Sequence, residues 1–164
     1  IDFDDLKLCL VLYADDIILF AKDAAGLQKS LDVLEEYCKR WKLTVNISKT
    51  KIMVFQKGGR VSPNLNFTHD GQQLEIVRSF KYLGVTFCSG GSFNQTDLTL
   101  SGQAMKAIFI MNKYLHKFTD LSPRHTLELF DKLVLPILNY ATEVWGFNTG
   151  VHTERMHLKF CKRV

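Results

Sequence analysis

Two aspartates interrupt an otherwise apolar run. From Leu8 to Ala21, Asp15 and Asp16 are the only charged residues. Leu6, Leu8, Leu10 and Leu12 alternate with Lys7, Cys9, Val11 and Tyr13, which is the period of a strand. Ile17 to Ala21 is a second short apolar run, and Ala14-Asp15-Asp16 between them has the length of a tight turn. The segment therefore reads as a β-hairpin with adjacent acids at its tip. Arms this apolar predict a buried hairpin. Two like charges in such a setting are costly unless a cation neutralises them. A hard divalent ion with oxygen ligands meets that need, and a pair of such ions suits in-line phosphoryl or nucleotidyl transfer. A plainer reading stands beside it: Asp is a favoured turn residue whose side chain satisfies the turn's own amides.

The rest of the chain reads as hairpins and helices. Asp23 is placed to cap a helix carrying Leu27, Leu31, Leu34, Cys38 and Trp41 at spacings of three and four, with Lys39, Arg40 and Lys42 at its C-terminal end. Leu43-Thr44-Val45 and Ile52-Met53-Val54-Phe55 read as strands around the polar turn Asn46 to Lys51. A loop, Lys57 to Asn64, precedes a hairpin with an Asp70-Gly71 turn. Phe80 to Phe87 reads as another strand pair or as one strand with a bend marked by Gly84. Ser89-Gly90-Gly91-Ser92 has linker composition. After it the pattern is helical, with a stripe at Leu98, Met105, Ile108, Met111, Leu115 and Phe118. Ser122-Pro123 starts another helix, whose stripe is Leu127, Phe130, Val134, Ile137, Leu138, Ala141 and Trp145. Pro136 should kink it. Both Trp41 and Trp145 are predicted to be core.

Composition sets limits without choosing a function. The 164 residues, 46% hydrophobic, can build a real core and predict one small domain or two. Lys+Arg 21 against Asp+Glu 17 leaves +4, a balance shared by many folded domains. No apolar run reaches the roughly 18 residues of a membrane span, so no membrane partner is expected. The 4 cysteines are far apart without a C-x-x-C pair, and the histidines have no ligand spacing with them, so no transition-metal site is expected.

Several segments, taken in order, carry a family resemblance. Leu12-Tyr13-Ala14-Asp15-Asp16 resembles the Y/F-x-D-D signature of reverse transcriptases. Trp41 to Lys51 is similar to the W-x-L-x-x-N-x-x-K-T segment, and Lys81-Tyr82-Leu83-Gly84 to the K-Y-L-G segment that follows it. Leu135 to Gly146 resembles a P-x-L-x-Y-x-x-x-x-W element of the thumb. The order matches polymerases of non-LTR, LINE-type retrotransposons, including the jockey-like group, over nearly the whole chain. The resemblance implies an α+β fold: a partial polymerase palm of antiparallel hairpins with a packed helix over residues 1–88, then an all-α, thumb-like bundle over residues 89–164. It implies Asp15 and Asp16 as catalytic metal ligands for Mg2+ or Mn2+. It implies Tyr13 near the primer end or incoming nucleotide, and Tyr82, Leu83 and Gly84 in the primer grip. It offers Lys49 as proton donor to the leaving pyrophosphate, against the alternative of an ordinary charged turn lysine. The implied partners are an RNA template, a DNA primer and deoxynucleotides, at a nuclear or cytoplasmic site.

One part of the family's site has no match here. The palm needs another aspartate on the strand beside this hairpin, and only twelve residues precede Tyr13. Asp2, Asp4 and Asp5 lie on or before the same arm. The sequence starts at Ile1 rather than Met and reads as continuing from an upstream segment. The expectation is a palm-plus-thumb fragment, inactive alone, with the N-terminal polymerase half as a partner and an unpaired edge that favours self-association. A different class stays open: a non-catalytic nucleic-acid-binding module. It would use Lys106, Lys113, His116, Lys117 and Arg124, with Lys159, Lys162 and Arg163. A decayed element product without a role is a third reading.

Overall fold

The computed structural model describes residues 10–56, 65–115, 122–147 and 150–162, with the backbone alone at 2–3 and 6–7. Strands β1 (Asp2–Phe3) and β2 (Leu6–Lys7) pair antiparallel. Strands β3 (Leu10–Tyr13) and β4 (Asp16–Leu19) form the next hairpin, in register from Leu10↔Leu19 to Tyr13↔Asp16. Helix α1 (Ala24–Trp41) follows, then β5 (Lys51–Ile52), β6 (Thr68–His69), β7 (Gln72–Gln73) and β8 (Glu75–Ile76). Next come β9 (Ser79–Tyr82) and β10 (Val85–Cys88), then the helices α2 (Asn94–Leu115), α3 (Pro123–Leu133), α4 (Leu135–Leu138), α5 (Thr142–Trp145) and α6 (Val151–Cys161). The fold is mixed α and β. Its described strand pairs are antiparallel hairpins except β5 with β8, which is parallel. The alternation from Leu6 to Leu12 is split between β2 and β3, and Leu8 and Cys9 lie outside the described residues. So do the Lys57 to Asn64 loop, His116, Lys117, Phe118 and Arg163.

The chain divides into two compact units, Ile1–Arg78 and Ser79–Val164. The division precedes β9 and does not fall at Ser89-Gly90-Gly91-Ser92. That stretch is a tight turn in which the Gly91 amide donates to the Cys88 carbonyl at 2.9 Å. It is followed at once by a tie between α2 and β10. The Thr96 hydroxyl accepts from the Thr86 amide at 2.9 Å and donates to the Thr86 carbonyl at 3.0 Å. A helix side chain thereby satisfies both backbone groups of one strand residue, as a neighbouring strand would.

The first unit uses the same device. The Gln28 carboxamide of α1 accepts from the Thr68 amide at 3.0 Å and donates to the Thr68 carbonyl at 2.9 Å. Asp23 caps α1 as expected, its side chain accepting from the Gly26 amide at 2.7 Å. Leu31 of α1 is buried with Ile52, Phe67 and Leu74, and Leu19, Leu27 and Ile47 pack on that cluster. Each such large apolar side chain contributes about 1.5–3 kcal/mol on burial. The Asp70-Gly71 turn has φ of 50° and 69°, the left-handed pair of a type I′ hairpin, which explains the Asp-Gly choice. Leu43-Thr44-Val45 is not a strand. Lys42 ends α1 in a left-handed conformation with φ 55°, and the Leu43 amide donates back to Cys38 at 2.9 Å. The expected strand at Ile52 to Phe55 is limited to the β5 residues. Trp41 is 61% exposed and lies against Tyr37, so the core expectation is wrong for it. The core side chains of α1 end at Cys38, one turn before Trp41.

In the second unit, Ala104, Ile108 and Met111 of α2 pack with Phe130, Val134, Leu138, Met156 and Phe160. The rings of Phe130 and Phe160 stack with centroids 4.1 Å apart. The stripe of α2 differs from the expected one at its start: Thr96, Asp97, Leu100 and Ser101 face inward, while Leu98 and Met105 are exposed. Polar residues turn inward there because Asp97 holds the start of α6. Its carboxylate accepts from the His152 amide at 2.9 Å and the Thr153 amide at 3.0 Å. Ser122-Pro123 starts α3 as read. Pro136 does more than kink: α3 ends at Leu133 with Val134 as its cap, α4 is a separate turn of helix, and Ala141 adopts φ 54° before α5. Trp145 is 4% exposed and belongs to the core, as expected.

Glu35 joins α1 to the β6–β7 turn by accepting a bond from the Asp70 amide at 2.8 Å, and it pairs with Lys39 one turn further along the same helix. The Lys39 ammonium first, and the Asp70 amide second, hold its carboxyl below the ordinary 4.5. Because the folded state binds that proton less readily, the contribution is complete above 4.5 and is lost as pH falls through the lowered value. Glu35→Gln should therefore reduce the urea midpoint at pH 7 and cost less at pH 3. An equal deficit at both pH values would contradict this.

Candidate functional site

The acids stand where the turn chemistry puts them. Tyr13 and Asp16 close the β3–β4 hairpin as a cross-strand pair, and Ala14 and Asp15 form its loop. Asp15 is thus a loop residue and Asp16 the first residue of β4. The two carboxylates are therefore adjacent at the hairpin tip, one carried by the loop and one by the strand. Ala14 has φ 52°, a left-handed conformation that disfavours any side chain bearing a Cβ.

The surroundings correct one expectation. The hairpin is not buried: Leu12 is 61% exposed, Tyr13 60%, and Leu10, Asp15, Asp16 and Ile17 are exposed as well. Leu19, at the base of β4, packs on the first unit's core. Among the described residues no further strand pairs with β3 or β4. The outer backbone edges of the hairpin are thus unpaired among the described residues. Among the described residues no group of three or more His, Cys, Asp or Glu side chains is arranged to hold a metal. The donor chemistry of Asp15 and Asp16, hard carboxylate oxygens, fits part of a divalent-ion shell and leaves the rest to other ligands.

Lys49 is exposed in a turn organised by Asn46. The Asn46 side-chain oxygen accepts from the Ser48 hydroxyl at 2.7 Å, and its carbonyl accepts from the Thr50 amide at 3.0 Å and hydroxyl at 2.9 Å. Asn46 and Thr50 are thus the residues that hold the Lys49 turn, a role the sequence reading did not assign them. Asn-x-x-x-Thr spacing within a polar turn was the available signal.

Tyr82, Leu83 and Gly84 lie together in the second unit. Tyr82 and Val85 close the β9–β10 hairpin, and Leu83 and Gly84 have φ of 45° and 83°, both left-handed. The Tyr82 hydroxyl is buried and has no hydrogen-bond partner among the described residues. Tyr140 meets this turn: its hydroxyl donates to the Leu83 carbonyl at 3.0 Å. A Cβ on Gly84 would sit 2.9 Å from Cε1 of the Tyr140 ring. Glycine is required here for its φ and for the space. Among the basic residues considered, Lys106, Lys113, Lys159 and Lys162 are exposed, and Arg124 pairs with Glu128 at 3.1 Å.

The family description "Reverse transcriptase (RNA-dependent DNA polymerase)" matches residues 2–87, more than half the chain and the whole of both hairpin turns. The chain belongs to the reverse transcriptase family. It is 26% identical over 158 residues to the RNA-directed DNA polymerase from mobile element jockey of Drosophila funebris, covering 93% of this chain and 17% of that protein. It is 28% identical over 161 residues to an RNA-directed DNA polymerase from transposon BS of Drosophila melanogaster, covering 94% and 18%. A transposon-derived protein of Caenorhabditis elegans is 29% identical over 147 residues, covering 89% and 51%. The chain thus spans about a sixth of the length of the polymerases and half of the nematode protein. No solved structure matches it.

Ala14→Gly removes the Cβ from a left-handed turn position. It should stabilise the hairpin by about 1 kcal/mol, seen as a higher melting temperature of the Leu12–Ile17 cross-strand contact by NMR. A loosened hairpin would show that the alanine methyl supports the turn.

Proposed function

We propose that this chain supplies the acid-bearing hairpin, a primer-contacting turn and a helical nucleic-acid-binding region to an RNA-directed DNA polymerase. The observation that carries the proposal is the β3–β4 hairpin: paired carboxylates at its tip, apolar arms exposed, and no described strand on either edge. Such arms fit a sheet that is completed by further chain. On this reading residues 1–88 are palm and residues 89–164 thumb.

Reverse transcriptases in general use divalent metals such as Mg2+ and act on an RNA template and nucleotides. Here Asp15 and Asp16 would be this chain's ligands to Mg2+ or Mn2+. When bound, such ions stabilise the charge on the attacking and leaving oxygens of an in-line displacement. Tyr13 presents an exposed ring beside the acids, suited to packing on a primer end or an incoming nucleotide. Lys49 presents a cation on a turn held by Asn46, suited to donating a proton to a leaving pyrophosphate. Tyr82, Leu83 and Gly84 form a turn whose backbone a primer strand approaches closely. The exposed Lys106 and Lys113 of α2, with Lys159 and Lys162 of α6, suit the phosphates of a duplex.

Two carboxylates from one hairpin leave a divalent ion mostly hydrated. The 164 residues alone are therefore expected to extend no primer on an RNA template with Mg2+ or Mn2+. Supplying a palm segment with a further strand and carboxylate should restore synthesis, and Asp15→Ala should abolish it. Robust synthesis by the chain alone that is lost in Asp15→Ala would contradict this reading. Salt-dependent duplex binding without restored synthesis would favour the non-catalytic module.

A further inference from the structure

The Leu83–Gly84 turn is unusual in its residue choice. Type I′ turns favour Asn, Asp or Gly at the first left-handed position, and this one has leucine at φ 45°. A conformation disfavoured by its own residue is strained unless its surroundings hold it, and here they do. The support is Tyr140. Its hydroxyl donates to the Leu83 carbonyl, and its ring occupies the space that a side chain on Gly84 would fill.

Tyr140 is itself held. The Trp145 indole donates to the Tyr140 carbonyl at 2.7 Å, and Trp145 is buried. The Tyr140 backbone lies between the end of α4 and the left-handed Ala141, where the interruption at Val134 and Pro136 has turned the chain. A short path thus runs from a core tryptophan through one tyrosine to the tip of a hairpin far away in sequence. It also gives a physical reason for the Pro-x-x-x-Tyr-x-x-x-x-Trp spacing at residues 136–145. Proline breaks the helix, tyrosine reaches the turn, and tryptophan anchors the tyrosine.

We propose that Tyr140 is a positioning residue that fixes the Leu83–Gly84 turn for contact with the 3′ end of a primer strand. The role rests on the reading of that turn as primer-contacting. A turn free to leave its left-handed geometry would present the Leu83 and Gly84 backbone in several arrangements, and a strand end would find no single register. Tyr140 removes that freedom without touching the nucleic acid. The tyrosine hydroxyl controls the carbonyl orientation, and the ring excludes the turn from collapsing over Gly84.

The test compares the 164-residue chain with its Tyr140→Phe and Tyr140→Ala variants. Each is titrated with two labelled RNA–DNA duplexes, one with a recessed DNA 3′ end and one blunt. The Leu83 carbonyl carbon shift is recorded in each protein. Wild type is expected to prefer the recessed duplex. Tyr140→Phe should move the Leu83 carbonyl resonance and lower that preference about threefold to tenfold, the range for one hydrogen bond. Affinity for the blunt duplex and the unfolding temperature should stay near wild type, which a merely structural loss would not allow. Tyr140→Ala should abolish the preference. Equal binding of both duplexes by wild type would overturn the primer reading and take the role of Tyr140 with it. A wild-type preference that survives in Tyr140→Phe, or an unmoved Leu83 carbonyl, would overturn the role alone.

Discussion

A two-stranded hairpin has bare backbone along both outer edges, and in water it is at best marginally stable by itself. How each hairpin of this chain meets that constraint organises the molecule. The β6–β7 hairpin is joined to α1 by the Gln28 carboxamide on Thr68 and by Glu35 on the Asp70 amide. The β9–β10 hairpin is joined to α2 by the Thr96 hydroxyl on Thr86 and to Tyr140 at its tip. In both, polar side chains from helical segments serve backbone groups of the strands. The β3–β4 hairpin is different. It is anchored at its base by Leu19, and its arms and its acids are exposed. Of these three hairpins, the one with the most distinctive chemistry has the least cover among the described residues.

That contrast also explains what could be read from the residues. Turns and caps were legible because their causes are local. Asp23 before a helix, Asp70-Gly71 between strands, Gly84 at a bend and Ser122-Pro123 at a helix start each act within a few residues. The acid-bearing hairpin was legible for the same reason. Its burial was not, because alternation shows which side chains share a face and says nothing about what covers that face. Trp41 was misplaced on the same ground: the helical spacing continues past the end of the core that α1 packs on.

Other differences come from tertiary demands that override local pattern. Ser89 to Ser92 has the composition of a linker, yet Thr96 ties the next helix straight back to β10. The start of α2 turns Asp97 inward because α6 begins there and its first amides need an acceptor. An apolar stripe search passes over such a residue. Asn46, Thr50 and Tyr140 escaped for a related reason. Each acts through hydrogen bonds within or onto the turn that carries a candidate residue, and a motif reading credits the residue that touches the chemistry.

The central claim is that the hairpin carrying Asp15 and Asp16 is incompletely supported among the described residues. Residue-resolved amide hydrogen exchange on the 164-residue chain tests this directly. Amides of Leu10 to Leu19 should exchange by local opening, far faster than those of Ile108 and Val134 in the second unit's core. Protection of the hairpin equal to that of Ile108 and Val134 would contradict the account.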